Sequence, residues 1–185
     1  MAFKNKGYNW TEVEPAGTSK MLEPGGYVAQ ITAVEDVESK EYLRFTYDIA
    51  EGTRKGFFAD DDRVYTHQFV RSYKEKAAGF MAQFLHCIED SNDSFKLAAW
   101  DSDPDALVGK KVGIIVQRED YTNRNGEDRA RMNVEGYASA ADIRAGRFKM
   151  PEPKDSRDKP GDPGFSTPAE PADTAASVYD ADIPF

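Results

Sequence analysis

Apolar and polar residues alternate along several stretches of the chain and recur at three- and four-residue spacing in one. After the turn residues Pro24-Gly25-Gly26, the alternation from Tyr27 to Val34 predicts a first strand. Tyr42 to Ile49 alternates most regularly, with Leu43, Phe45, Tyr47 and Ile49 on one face. Its other face carries Tyr42, Arg44, Thr46 and Asp48. A loop over Gly52 to Asp62 precedes a third strand over Arg63 to Val70. From Lys74 to Asp90 the period changes: Ala77, Phe80, Met81, Phe84, Leu85 and Ile88 mark the apolar stripe of an amphipathic helix. Lys110 to Tyr121 contains the run Val112-Gly113-Ile114-Ile115-Val116 and leads into Asn123-Arg124-Asn125-Gly126, a hairpin signal. Arg129 to Tyr137 returns, with Ala130, Met132 and Val134 inward and Arg129, Arg131 and Asn133 outward. A short helix from Ser139 to Ala145 ends the series at Gly146.

Three strands, one helix and a hairpin is the element order of an OB-fold. This predicts a mainly β domain: a five-stranded, partly open barrel with its helix between strands 3 and 4. The domain is expected over residues 21–150, behind a polar N-terminal arm over residues 1–20. Residues 151–185 change composition. Pro151, Pro153, Pro160, Pro163, Pro168 and Pro171 are separated by small and acidic residues, with almost no large apolar group before Val178. Such a segment buries too little to offset its conformational entropy, so a disordered tail is expected there.

The tail also changes the charge balance. The chain carries −9 in all; residues 151–185 hold eight acids and three bases, or −5, which leaves −4 on the first 150 residues. A mildly acidic body neither supports nor excludes a nucleic-acid groove, because affinity follows the local field. Cys87 is the single cysteine, so no internal disulfide can form, and a reducing compartment is the expected setting. No apolar run approaches the ~20 residues of a membrane span. A soluble protein in the cytoplasm of a bacterial host cell is the expectation.

Sequence-tolerant binding of single strands needs aromatic rings for the bases beside cations for the phosphates. The outward face of the second strand offers Tyr42 and Arg44. The loop after it offers Phe57 and Phe58, next to Arg54 and Lys55. The third strand and the segment leading into the helix offer Arg63, Tyr65, Arg71, Tyr73 and Lys74. The hairpin adds Arg118, Tyr121, Arg124, Arg129 and Arg131, where OB-folds commonly grip a ligand. Other chemistry is absent from the pattern. Asp60-Asp61-Asp62 reads as a solvated loop, and His67, His86 and Cys87 lack metal-ligand spacing. No nucleophile triad or Gly-rich phosphate loop occurs. No catalysis, metal or cofactor is therefore expected.

The chain ends Asp180-Ala181-Asp182-Ile183-Pro184-Phe185. This closely resembles the acidic tip of bacterial single-stranded DNA-binding proteins, typically Asp-Asp-Asp-Ile-Pro-Phe, with Ala181 standing where an Asp is usual. The body resembles a family of phage and prophage proteins, uncharacterised or described as single-stranded DNA-binding. The similar segments are Gly26-Tyr27-Val28, Glu41-Tyr42-Leu43, Tyr47 to Gly52, Arg71-Ser72-Tyr73-Lys74 and Leu107 to Gly113.

The resemblance implies a protein that coats single-stranded DNA in phage replication, recombination and repair. It also implies that Asp180, Asp182, Ile183, Pro184 and Phe185 recruit a helicase, polymerase or recombinase. A ring and free carboxylate on Phe185 suit an apolar pocket with a basic rim, at about micromolar affinity. The alternative is an adaptor without DNA binding, whose tail imitates the host tip. Residue pattern leaves a homo-oligomer open.

Overall fold

The alternating segments form one mainly antiparallel sheet in the computed structural model, which describes residues 21–61 and 64–157. Strand β1 (Gly25–Val37) pairs with both β2 (Tyr42–Ile49) and β4 (Lys111–Thr122). Strand β3 (Gln68–Ser72) flanks β2, and β5 (Asp128–Ala138) flanks β4, which gives the order β3-β2-β1-β4-β5. The β1–β2 pairing shifts register between Ile31 and Ala33, and β4–β5 shifts between Ile115 and Val116. Such bulges bend a strand and increase its twist. The sheet curls until side chains of its two edge strands meet: the rings of Phe69 on β3 and Tyr137 on β5 lie 5.3 Å apart.

Helix α1 (Ala78–Ser91) lies between β3 and β4 in the chain and packs Met81, Phe84, Leu85 and Ile88 onto the sheet. At the centre, Phe45 stacks on Phe69 at 5.1 Å and meets Phe84 edge-on at 5.0 Å. Leu43, Phe45, Tyr47 and Ile49 face this core as the alternation predicts. Two expectations need correction. The third strand does not begin at Arg63: Val64–His67 forms a 3-10 turn, and pairing starts at Gln68. There His67 stacks on Phe58 at 4.8 Å and Thr66 Oγ1 donates to Asp61, contacts that a regular strand would not make. Phe80 is 52% exposed although it lies one turn before Phe84 on the predicted stripe; burial on α1 begins at Met81.

The expected short helix is α2 (Ala140–Arg144), capped by Ser139, whose Oγ accepts from the Asp142 N–H at 3.0 Å. Its Ile143 lies on Gly113 of β4; a Cβ on Gly113 would come within 2.5 Å of Ile143 and 2.7 Å of a backbone carbonyl. Phe148 likewise covers Gly26. Residues 151–157, expected from composition to belong to the tail, instead continue along β4. Gln117 donates to the Glu152 carbonyl, and the two-residue β6 (Lys154–Asp155) pairs with Glu119 and Asp120 in parallel. The strap ends beside the hairpin turn, where Thr122 Oγ1 reaches the Arg157 carbonyl at 3.5 Å. The expected arm over residues 1–20 and the tip residues Asp180, Asp182, Ile183, Pro184 and Phe185 lie outside the described residues, as does Arg63.

Candidate nucleic-acid interface

The aromatics named from the sequence separate into core and surface. Tyr42 stands on the outward side of β2 but is only 3% exposed, and Arg44 donates to its hydroxyl at 3.2 Å. Its ring is closed to a stacking base, contrary to expectation. Phe58 is also no loop platform. It is 5% exposed and packs against Tyr47, His67 and Phe57 at 4.8–5.7 Å. Asp48 draws the loop in by accepting from the Phe58 N–H at 2.9 Å. Phe57 is half-buried beside it, with the Arg54 guanidinium 5.7 Å from its ring.

Tyr65 and Tyr73 are exposed, one before β3 and one immediately after it. The Tyr73 hydroxyl donates to Asp36 at 2.9 Å; desolvation, and then that bond, push it up to about 12. Its hydroxyl is thereby held while the residue stays exposed. Arg71, on β3 itself, lies over Tyr137, its guanidinium carbon 3.8 Å from the ring centroid. Lys74 comes two residues after β3, its N–H donating to Ser72 Oγ at 3.2 Å.

The hairpin holds its predicted cations close to acids. Arg118 pairs with Asp120 at 2.9 Å and Arg129 with Glu127 at 2.7 Å. Arg131 spans the half-buried Tyr121 ring at 5.0 Å and pairs with Glu119 at 2.8 Å. Arg124 projects from the exposed turn, where Gly126 adopts φ +77°. The expected hairpin is thus present, but most of its charge is already matched.

Glu119 was not visible as a special residue in the sequence. It is fully buried, accepts from Arg131, Asn133 and Ser156, and lies 3.5 Å from Lys154. Burial alone would raise its carboxyl, but the bonds from Arg131 and Ser156, with the charges of Arg131 and Lys154, hold it at about 2. Four polar residues in succession, Gln117 to Asp120, were the available signal, and a solvated face gives the same pattern. A second clasp joins Glu51 to Arg144 and Lys111, each at 2.8 Å. Hydrogen bonds from Arg144 and Lys111 hold that carboxyl at about 2 as well. It borders a shallow cavity of about 300 Å³ that Tyr27, Arg54 and Ile143 also line.

Among the described residues, no group of three or more His, Cys, Asp or Glu side chains is arranged to hold a metal ion. No described helix is long and apolar enough to cross a membrane. Burial pushes the Cys87 thiol up, which lowers its reactivity.

A family model described as "Protein of unknown function (DUF669)" matches residues 8–145, so the chain belongs to that family. The match covers β1 to β5 and both helices and ends before the strap over residues 151–157. No curated protein matches the chain.

Proposed function

We propose that this member of the DUF669 family is a non-enzymatic single-stranded DNA-binding protein, built on an OB-type barrel and acting in phage replication or recombination. The strand order β3-β2-β1-β4-β5, with α1 between β3 and β4, carries the reading. It supports a five-stranded OB-type barrel with β3 and β5 as the strands that meet, a fold that often serves oligonucleotides. The function of such a fold lies in the side chains that it presents. Exposed tyrosines at both ends of β3 supply stacking surfaces, and Arg124 supplies a cation at the hairpin turn. The tail's acidic tip serves as the contact for helicase, polymerase or recombinase.

One observation favours the adaptor reading instead. Arg118, Arg129 and Arg131 all face carboxylates, so the hairpin offers a phosphate backbone less charge than its sequence implies. Titrating fluorescently labelled oligo-dT and its duplex with full-length protein separates the two, with polarisation read at several salt concentrations. The DNA reading expects preference for the single strand and an affinity that falls as salt rises. Absence of binding at low salt sinks it and leaves the adaptor.

A further inference from the structure

We propose that Arg71 is a built phosphodiester-binding group, held ready where the edges of β3 and β5 meet. The inference rests on the single-stranded DNA reading above and adds a site to it. Tyr137 is fixed by Phe69 at 5.3 Å and Phe84 at 4.8 Å, and the guanidinium carbon lies over its ring at 3.8 Å. Phe84 closes a second side at 5.9 Å.

That guanidinium has an idle donor. Nε of Arg71 is buried and has no hydrogen-bond partner. Every other described arginine faces a carboxylate, Arg124 at the open hairpin turn apart. Among the described residues, Arg71 is therefore both pre-oriented and uncompensated. Buried polar groups in folded proteins are almost always satisfied, so an orphaned one calls for a partner.

The geometry also selects the chemistry. Nε is buried beside Tyr137 and Phe84 while Arg71 as a whole is only partly buried, so a ligand meets the guanidinium along its terminal N–H edge. An oxyanion with two oxygens in one plane fits that edge, and phosphate is such a group. A strand laid along β3 between the rings of Tyr65 and Tyr73 passes Arg71, which would bring its backbone to that edge. A simple packing role accounts for the stack and leaves the idle donor unexplained.

The test compares wild-type full-length protein with Arg71→Gln and Arg71→Lys in oligo-dT titrations across a salt series. Loss of one phosphate contact lowers the slope of log affinity against log salt by about one. Arg71→Gln is expected to do so and to weaken binding by about tenfold at low salt, the loss of a charged hydrogen bond. Arg71→Lys keeps the charge without the planar edge and recovers only part. A wild-type slope in Arg71→Gln overturns this inference alone; no oligo-dT binding by wild-type protein overturns the DNA reading and this inference with it.

Should Arg71→Gln fail to fold, the Arg71 Nε–H signal in ¹⁵N spectra of the wild-type protein decides. Slower solvent exchange on adding oligo-dT is the expected result. No change with oligo-dT overturns the site, as does protection by an oligo-glutamate peptide alone.

Discussion

The β4–β5 hairpin and the β3 edge both carry arginines beside tyrosines, yet they use them differently. In the hairpin, Arg131 lies over Tyr121 and is neutralised by the buried Glu119, while Arg118 and Arg129 pair with Asp120 and Glu127. On β3, Arg71 lies over Tyr137, and its buried Nε has no partner among the described residues. An ion pair already satisfied inside the protein has little to gain from a phosphate. Its worth is structural: Glu119 binds the hairpin to the strap through Ser156 and Lys154. Cations of one type, in similar aromatic company, thus serve folding in one region and are free for a ligand in the other.

The largest effect that tests this contrast is on stability. Glu119→Ala leaves Arg131 and Lys154 without their shared counter-charge. It also removes the acceptor of three hydrogen bonds, from Arg131, Asn133 and Ser156, each worth about 1.5–3 kcal/mol to a charged group, so the urea midpoint should fall sharply. A loss under about 1 kcal/mol, the value of an exposed pair, would break the comparison. Truncation comes next. A chain ending at Met150 removes the Ser156 hydroxyl from Glu119, a bond to a charged group worth about 1.5–3 kcal/mol. A chain ending at Arg157 should unfold at the full-length midpoint. Equal stability of the two truncations would show that the strap holds nothing.

Somewhat smaller is the overpacking of the same outer face. Gly113→Ala drives a methyl against Ile143 and two backbone carbonyls, at an expected cost of about 1–3 kcal/mol in thermal unfolding. Acid should act on the clasps themselves. Glu119 and Glu51 sit at about 2 against an ordinary 4.5, so their contribution is complete above that ordinary value. It is lost as pH falls from about 4.5 towards 2, because the unfolded chain takes up protons first. Glu119→Gln should flatten that part of the curve of stability against pH. An unaltered acid limb would mean that other carboxylates dominate it.

How far the sequence reached depends on the information each pattern encodes. Period-two alternation in Tyr42 to Ile49 reports which side meets the core, and it placed Phe45 correctly. It says nothing of the groups covering the opposite side, so Tyr42 read as a stacking surface although it is buried. The doublet Phe57-Phe58 looked symmetric; Asp48, ten residues before Phe58, decides which ring turns inward. Phe80 fits the helical stripe, but where a helix overhangs its sheet is a tertiary matter. Polar residues hide most completely. Glu119 and Ser156 are 37 residues apart, and no local spacing announces that they meet. Arginines could be counted from the sequence, whereas their carboxylates could not be assigned.

The smallest effect is also the sharpest for the hairpin. Arg124 has no carboxylate partner among the described residues, while Arg129 is held by Glu127 at 2.7 Å and the two together are neutral. If phosphates meet only uncompensated cations, Arg124→Gln weakens oligo-dT binding a few-fold and lowers the salt slope by about one. The double change Glu127→Gln with Arg129→Gln removes no net charge, and both affinity and slope should stay at wild-type values. Polarisation titrations at the salt concentrations used for Arg71 make the results comparable. A slope that falls as much in the double variant as in Arg124→Gln would mean that DNA opens the Arg129–Glu127 pair. The distinction between locked and idle arginines would then hold only for the buried Glu119 clasp, where leaving the carboxylate unpaired costs far more than at the exposed turn.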